Sequence, residues 1–568
     1  MLNWLRGGPA AGTADSPAIT PQAAQPTTVL FRFVVSPRGT GEWKEVASGV
    51  TVNVYDANED KNSRSPEWRL EVDGGEEPLD VLVDDNFEWD VTGLRASFVT
   101  SDDEAWALKF ANSPAFERFL QKYNKASFEN RFGQAQNDDT VAKNLGAYAG
   151  TFGGPENDES KVQWVADMDV DQPHPEEFNT PKKERVVTEK KSPIHGVVMG
   201  AGEHSYLMRG GQIDVIKNSA GRMKDTGLSF MLTPPPKAAG WGGAGTPTLT
   251  PSKALLMDSE RTMAMISPLN TSSMWQTDIE TGKVISEWKF QKDTVDVAMK
   301  DMAGKDKAAA QHDGSVFLAL GASRLAVWDM KTKGGVVSEQ MATPVLAYAG
   351  GKDYAAGVKF SCMATSGDGY VVVGADDGKV RLYSEKTLTQ AKTSIPGMGL
   401  PITAVDVTFD GKWVLATTKN YMMVLKTTYE DPSSGKELCG FTSRMGSNSP
   451  APRLLRLKME DVKLTKGAPL QKGKFTWVTE KGRQERYIIA TCGNYTVTWN
   501  FRSIKVAEPD VVSYGGLTTV TTYHLQRKDE HVVDSAFMHE NYARGRDAAM
   551  VVTTNKVFMT GEESDEDE

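Results

Sequence analysis

The sequence predicts a mainly all-β chain: a β-propeller of about seven blades, preceded by a small β-barrel with one helix at its C-terminal end. Three observations carry that expectation. Short segments that alternate polar with apolar residues recur from Val29 almost to the C-terminus. Asp-Gly pairs fall between them where a turn needs residues tolerant of positive φ. One stretch after Ser113 changes to a helical period. At 568 residues, with 52 glycines, 39% hydrophobic and 24% charged residues, the chain exceeds one ordinary core and fits several turn-rich globular units.

Residues 1–27 are rich in Gly, Pro, Ala and Thr, lack periodicity, and read as a disordered leader. Leu2, Trp4 and Leu5 do not make an apolar run of signal-peptide length, and no later stretch is long enough to span a bilayer. Three widely separated cysteines, Cys362, Cys439 and Cys492, give no disulfide framework, so a cytoplasmic location is expected.

From residue 28 to residue 130, VLFRFVV, GVTVNVY, EWRLEV, LDVLVDD, FEWDV, ASFVTS and WALKF make about seven strands. Trp106, Leu108 and Phe110 share one face of the last, because side chains alternate along a strand. Ser113-Pro114 then reads as a helix start, with Phe116, Phe119, Leu120 and Tyr123 recurring at i, i+3, i+4 and i+7. Strands followed by one amphipathic helix resemble the pleckstrin-homology (PH) superfold, so 28–130 is expected to be PH-like. Residues 131–192, with GGPENDES and DQPHPEEFNTPKKER, read as a linker. Val162, Trp164 and Val165 are too apolar for free chain and predict that part of it docks on a neighbour.

Residues 193–560 repeat one grammar: apolar strand, Asp/Gly turn, apolar strand, turn, and a strand ending in an aromatic. GDGYVVVGADDGKVRLYS from Gly367 is the clearest unit, followed by PITAVDVTFDGKWVLATT from Pro401. Fainter copies lie at Gly314, Gln276, Glu485, near the C-terminus, and at 195–217, and VWD at Val327 and TWN at Thr498 are WD-like strand ends. Blades hide their faces only against neighbours, so the repeat must close into a ring. Residues 561–568, GEESDEDE, form an acidic tail disordered by composition, in which Ser564 resembles an acidophilic-kinase substrate.

The formal net charge of −11 includes six negatives from that tail, and the densest basic run, Lys182-Lys183-Glu184-Arg185, is short and interrupted, so nucleic acid is not an expected partner. Seven scattered histidines, with neither His-x-x-x-His nor Cys-x-x-Cys, give no metal-ligand spacing. GWGGAGTPT lacks the GK[ST] of a P-loop, GMG at Gly397 lacks the dinucleotide spacing, and no G-x-S-x-G occurs. No catalytic residue or cofactor is therefore expected, and Cys362 and Cys492 read as small buried residues inside strands. Two stretches are richer than a blade needs, RMGSNSPAPRLLRL and FTWVTEKGRQERYIIATCG. Arg444, Arg453, Trp477, Glu480, Arg483 and Arg486 are the candidate protein-binding patch, since Trp and Arg dominate interface energetics; packing and charge pairing within the propeller are the alternative.

QTDIETGKVISEWKF, GDGYVVVGADDGKVRLYS, PITAVDVTFDGKWVLATT, RMGSNSPAPRLLRL, FTWVTEKGRQERYIIATCG and VDSAFMH, in that order, resemble the C-terminal domain of the vacuolar import and degradation protein 27 (Vid27-like) family and its plant relatives. The resemblance covers about residues 160–560, with a fainter likeness in the first 130. It implies a cytoplasmic protein with a WD40-like propeller, in a family named for vacuolar import and degradation of cytosolic enzymes in yeast. A non-enzymatic scaffold for other proteins is the expected function. The alternative is a phosphoinositide-binding peripheral membrane adaptor using Arg38 and Lys44, around which Glu42 and Glu45 crowd.

Overall fold

The computed structural model describes residues 27–36, 41–58, 65–75, 78–84, 86–148, 184–190, 192–219, 222–233, 249–330, 346–354, 357–386, 388–480, 482–507, 513–514, 517–539, 542 and 548–560. Leader residues 1–26, the acidic tail with Ser564, Arg38, and Val162, Trp164 and Val165 lie outside these residues.

The N-terminal unit has a five-stranded and a three-stranded antiparallel sheet packed around Leu30, Phe87, Trp89 and Phe98. It holds one strand more than the sequence predicts, Gly41–Ser48. That strand pairs with Val29–Val35 at the sheet edge and exposes most of its residues, so no apolar alternation marks it. Helix α1, Ser113–Phe132, buries Phe116, Phe119 and Tyr123 as its periodicity predicts. Its cap is Asn112 rather than Ser113: the Asn112 side chain accepts from the Ala115 N–H at 3.0 Å. A second helix, α2 (Asp138–Leu145), stands in the region read as linker, started by an Asn137–Thr140 capping box.

Among the described residues from 184 onward, seven sheets of four or more strands follow one another, each a blade built on antiparallel neighbours, with two separate two-stranded hairpins beside them. Their innermost strands are Gly196–Val198, Lys253–Met257, Asp301–Gly304, Phe360–Thr365, Ala404–Val407, Leu470–Phe475 and Val532–Phe537, which number blades 1 to 7. Trp275, Trp328 and Trp499, on the third strands of blades 2, 3 and 6, are fully buried, as is Tyr383 in blade 4. Gly378 turns blade 4 at φ 77°, and a Cβ there would meet the Leu400 carbonyl at 2.8 Å, so only glycine fits.

The ring closes through Glu184–Glu189, a segment also read as linker. It is the outermost strand of blade 7, antiparallel to Lys556–Thr560 from the other end of the chain. Blade 5 is enlarged, its fourth strand Arg453–Leu455 pairing in parallel with Leu517–Val520.

A propeller built of up-and-down blades has two unlike faces. First-to-second and third-to-fourth strand loops share one face; second-to-third turns and inter-blade connections share the other. The N-terminal unit packs on the connection face over blades 4 to 6. Phe128, Leu145 and Tyr148 join one core with Ile395, Met398 and Tyr421. The Arg131 side chain lies on Gly399, and helix α3 (Met459–Leu464), which links blades 5 and 6, buries Met459 against Phe33, Val99 and Ala105.

Candidate functional site

The innermost strands of all seven blades enclose a channel with a cavity of about 530 Å³. Charge lines it where alternation would place apolar residues. Asp301, Asp406 and Asp534 stand on blades 3, 5 and 7, and Lys253, Lys307, Lys472 and Lys474 face them. Lys253 pairs with Asp301 at 2.8 Å, Lys307 with Asp406 at 3.0 Å, and Lys472 and Lys474 share Asp534 at 3.2 and 2.7 Å.

The carboxylates also tie blades together. Asp301 accepts from the Met363 N–H at 3.1 Å and Asp406 from the Phe475 N–H at 2.8 Å, each reaching the next blade. Burial pushes the Asp534 carboxyl up, but the two ammoniums beside it prevail and hold it below its ordinary value. The Asp301 carboxylate raises Lys253 against the opposing effect of burial. His195 at the channel's edge receives the Gly210 N–H on Nδ1 at 3.1 Å and faces the Pro251 carbonyl through Nε2 at 3.0 Å, so the neutral Nε2–H tautomer satisfies both partners. Burial first, and the Lys472 charge after it, lower its pKa.

Blade 6 reaches Asp534 twice because its innermost strand carries a bulge. The register against Tyr487–Cys492 shifts between Gln471 and Lys474, and Lys472 takes φ 51°, a left-handed conformation costing a non-glycine residue about 1 kcal/mol. Gly473 follows because nothing larger fits: a Cβ would meet Met422 Sδ at 2.5 Å and Thr417 Oγ1 at 2.7 Å.

On the first-to-second-loop face, the blade 3 loop that follows Gly304 bridges several other blades. The Ser259 and Glu260 N–H groups of blade 2 donate to His312 and Ala310 at 3.1 and 3.0 Å, and the Lys307 N–H donates to Ser366 of blade 4 at 3.0 Å. The Lys307 side chain continues to Asp406 in blade 5, and Gln311 Nε2 lies 3.3 Å from His539 Nε2 in blade 7. The blade 6 loop completes the arrangement. Thr479 Oγ1 is 2.8 Å from the same His539 nitrogen, and Trp477 meets the His539 ring edge-on at 4.9 Å. Beneath this loop Glu485 accepts from the Phe409 N–H at 2.7 Å, and burial pushes its carboxyl up to about 7.

Trp477, Glu480, Arg483 and Arg486 all belong to that one blade 6 loop. Trp477 is half-buried at the channel wall, Arg486 is half-buried, and Glu480 and Arg483 are exposed and paired at 3.1 Å. Arg444 is exposed on the same face, in the long blade 5 loop between the third strand, Met422–Lys426, and the fourth, where the Tyr429 hydroxyl donates to its carbonyl at 2.9 Å. Arg453 is the exception. It is fully buried on the fourth strand of blade 5 and donates to the Ala507 carbonyl at 2.9 Å, so it holds the propeller together and presents nothing to a partner. Cys362 and Cys492 are buried, and burial lifts their thiols to about 12 and about 11. The channel charges escaped the sequence reading, although a signal was present: a lone aspartate interrupts apolar strands in Val405-Asp406-Val407 and Val533-Asp534-Ser535.

Residues 196–565 match the family model described as the VID27 C-terminal WD40-like domain, and residues 44–146 match a domain of unknown function, DUF7135. The chain is 26% identical over 370 residues to vacuolar import and degradation protein 27 of Schizosaccharomyces pombe, covering 63% of this chain and 41% of that protein. It is 25% identical over 305 residues to the protein of the same name in Saccharomyces cerevisiae, covering 53% and 36%. The chain thus matches less than half the length of either relative. Among solved structures it resembles the β-propeller domain of Cps50 (Swd1) from Myceliophteria thermophila, with a TM-score of 0.44, 10% identity, and coverage of 66% of this chain and 99% of that one. With the family model spanning most of its length and all seven blades in place, the chain belongs to the Vid27 family.

Proposed function

We propose that the chain is a non-catalytic cytoplasmic adaptor that binds other proteins through the first-to-second-loop face of its propeller. One observation supports this most: Trp477, Glu480, Arg483 and Arg486 share one loop braced by the Thr479–His539 contact. Loops held on a rigid scaffold are where binding concentrates, and Trp and Arg are the residue types that anchor interfaces. Among the described residues the N-terminal unit, read as PH-like, packs on the opposite face. By likeness to relatives named for vacuolar import and degradation, the adaptor serves that process.

A phosphoinositide role for the N-terminal unit has less support, because Lys44 is already paired with Glu42 at 3.0 Å. The test is affinity purification of tagged full-length protein from its own cells, beside Trp477→Ala/Arg483→Glu and Lys44→Glu variants, with bound proteins and lipids quantified. Stoichiometric protein partners lost only from the loop variant support the adaptor. Partners unaffected by the loop changes overturn the choice of face. Phosphoinositide recovery that disappears with Lys44→Glu, without any protein partner, replaces the adaptor reading with the membrane one.

A further inference from the structure

The channel carries an imbalance that the fold does not need. Among the described residues its lining presents four ammonium groups, Lys253, Lys307, Lys472 and Lys474, to three carboxylates, Asp301, Asp406 and Asp534. Two of the pairs are one-to-one, and the surplus positive charge sits where Lys472 and Lys474 share Asp534. His195 does not change this count, since both its ring nitrogens are engaged in a neutral tautomer.

Three features make this a built site. The second lysine reaches Asp534 only through the bulge, with Lys472 held at φ 51°, and strain of this kind concentrates where ligands bind. Gly473, which has no room for a side chain, holds the bulge against blade 5, its N–H donating to Thr417 Oγ1 at 3.2 Å. A cavity of about 530 Å³ is within the usual size of a small-molecule site, and both lysines keep about a third or more of their side-chain surface accessible, at 40% and 35%.

We propose that the central channel binds a small, multiply charged anion whose phosphate or carboxylate groups join Asp534 on Lys472 and Lys474. Focused positive charge between low-dielectric walls favours such a ligand, and ammonium groups serve either kind of oxyanion as point charges. Asp534 is the built-in competitor, so its removal and the removal of a lysine act in opposite directions.

The experiment titrates full-length protein with pyrophosphate and, separately, with citrate at constant ionic strength, by calorimetry and by the change in tryptophan fluorescence that is absent from a Trp477→Phe variant. Saturable binding of one equivalent is expected, weakened at least tenfold by Lys474→Met and tightened severalfold by Asp534→Asn. Binding of pyrophosphate alone identifies a phosphate-bearing ligand, and binding of citrate alone a carboxylate; binding of both supports the shared anion site. Should Asp534→Asn fail to fold, Lys472→Met, which leaves Lys474 on Asp534, is read for the same tenfold loss. The proposal is overturned if neither anion binds beyond matched chloride, or if the lysine variants bind as tightly as the unaltered protein.

Discussion

Glu485 is a carboxylate placed where water does not reach, 3% exposed beneath the blade 6 loop, with its carboxyl raised from 4.5 to about 7 by burial. A raised carboxylate binds its proton more tightly in the folded chain, so its contribution to stability is complete below pH 4.5 and is lost as pH rises through about 7. Glu485→Gln keeps an acceptor for the Phe409 N–H and has no charge to desolvate. It should be more stable than the unaltered protein above pH 7, by on the order of 3 kcal/mol in denaturant unfolding, with the difference vanishing toward pH 4; equal stability at all pH values would show that the site relaxes around the charge. Gly473 gives the opposite kind of constraint, one of space. Gly473→Ala should cost about 1–3 kcal/mol in denaturant unfolding, because the added Cβ crowds Met422, Thr417 and Leu415 at once, all three buried at the blade 5–6 contact. Neither role is legible in the sequence: Glu485 only marks the start of a faint blade copy, and the bulge that needs Gly473 is visible only once the partner strand fixes the register.

At the scale of elements, what the sequence revealed depended on whether a strand has one apolar face. The strands of blades 4 and 5 that flank an Asp-Gly turn alternate or run apolar, so they are legible within a residue or two, whereas the outer strands Thr393–Ile395 and Arg453–Leu455 are not. Gly41–Ser48 was not, being exposed on both sides, and neither was Glu184–Glu189, whose pairing partner Lys556–Thr560 lies at the far end of the chain. That closing strand is the element on which the ring depends, because without it the third strand of blade 7 becomes an open edge. Val187 packs against the core containing Met550, Val557 and Met559, whereas Val186 beside it is 48% exposed. Val187→Asp should therefore destabilise by on the order of 2 kcal/mol, while Val186→Asp should stay within about 0.5 kcal/mol. Equal losses at the two positions in thermal unfolding would mean that this strand's two faces are not distinguished by the core.

For the whole molecule the consequential contact joins the N-terminal unit to the propeller. Arg456, 4% exposed between blades 5 and 6, donates to the Phe87 carbonyl at 3.2 Å, and Glu88 accepts from the Met459 N–H at 3.2 Å. Trp43 Nε1–H donates to Glu460 at 2.7 Å, and Lys463 pairs with Glu104 at 2.7 Å. Burial raises Asp84 and Glu88, and Arg456 is among the charges that oppose the rise in both. Such an interface favours one cooperative body over two tethered domains, and that body fixes the loop face of the propeller relative to the N-terminal unit. Arg456→Met removes the guanidinium and leaves two buried carboxylates with less compensation, at a cost of about 3 kcal/mol. Their pKa values should rise further, so the penalty grows as pH rises through the carboxylate range, the direction required when the folded state holds the extra protons. Scanning calorimetry of the full chain is expected to show one transition for the unaltered protein and, for Arg456→Met above pH 7, a lower first transition separated from that of the propeller. A single transition shifted equally at pH 5 and pH 8 would show that the guanidinium acts only through packing, and that the two carboxylates contribute nothing to the union of the two units.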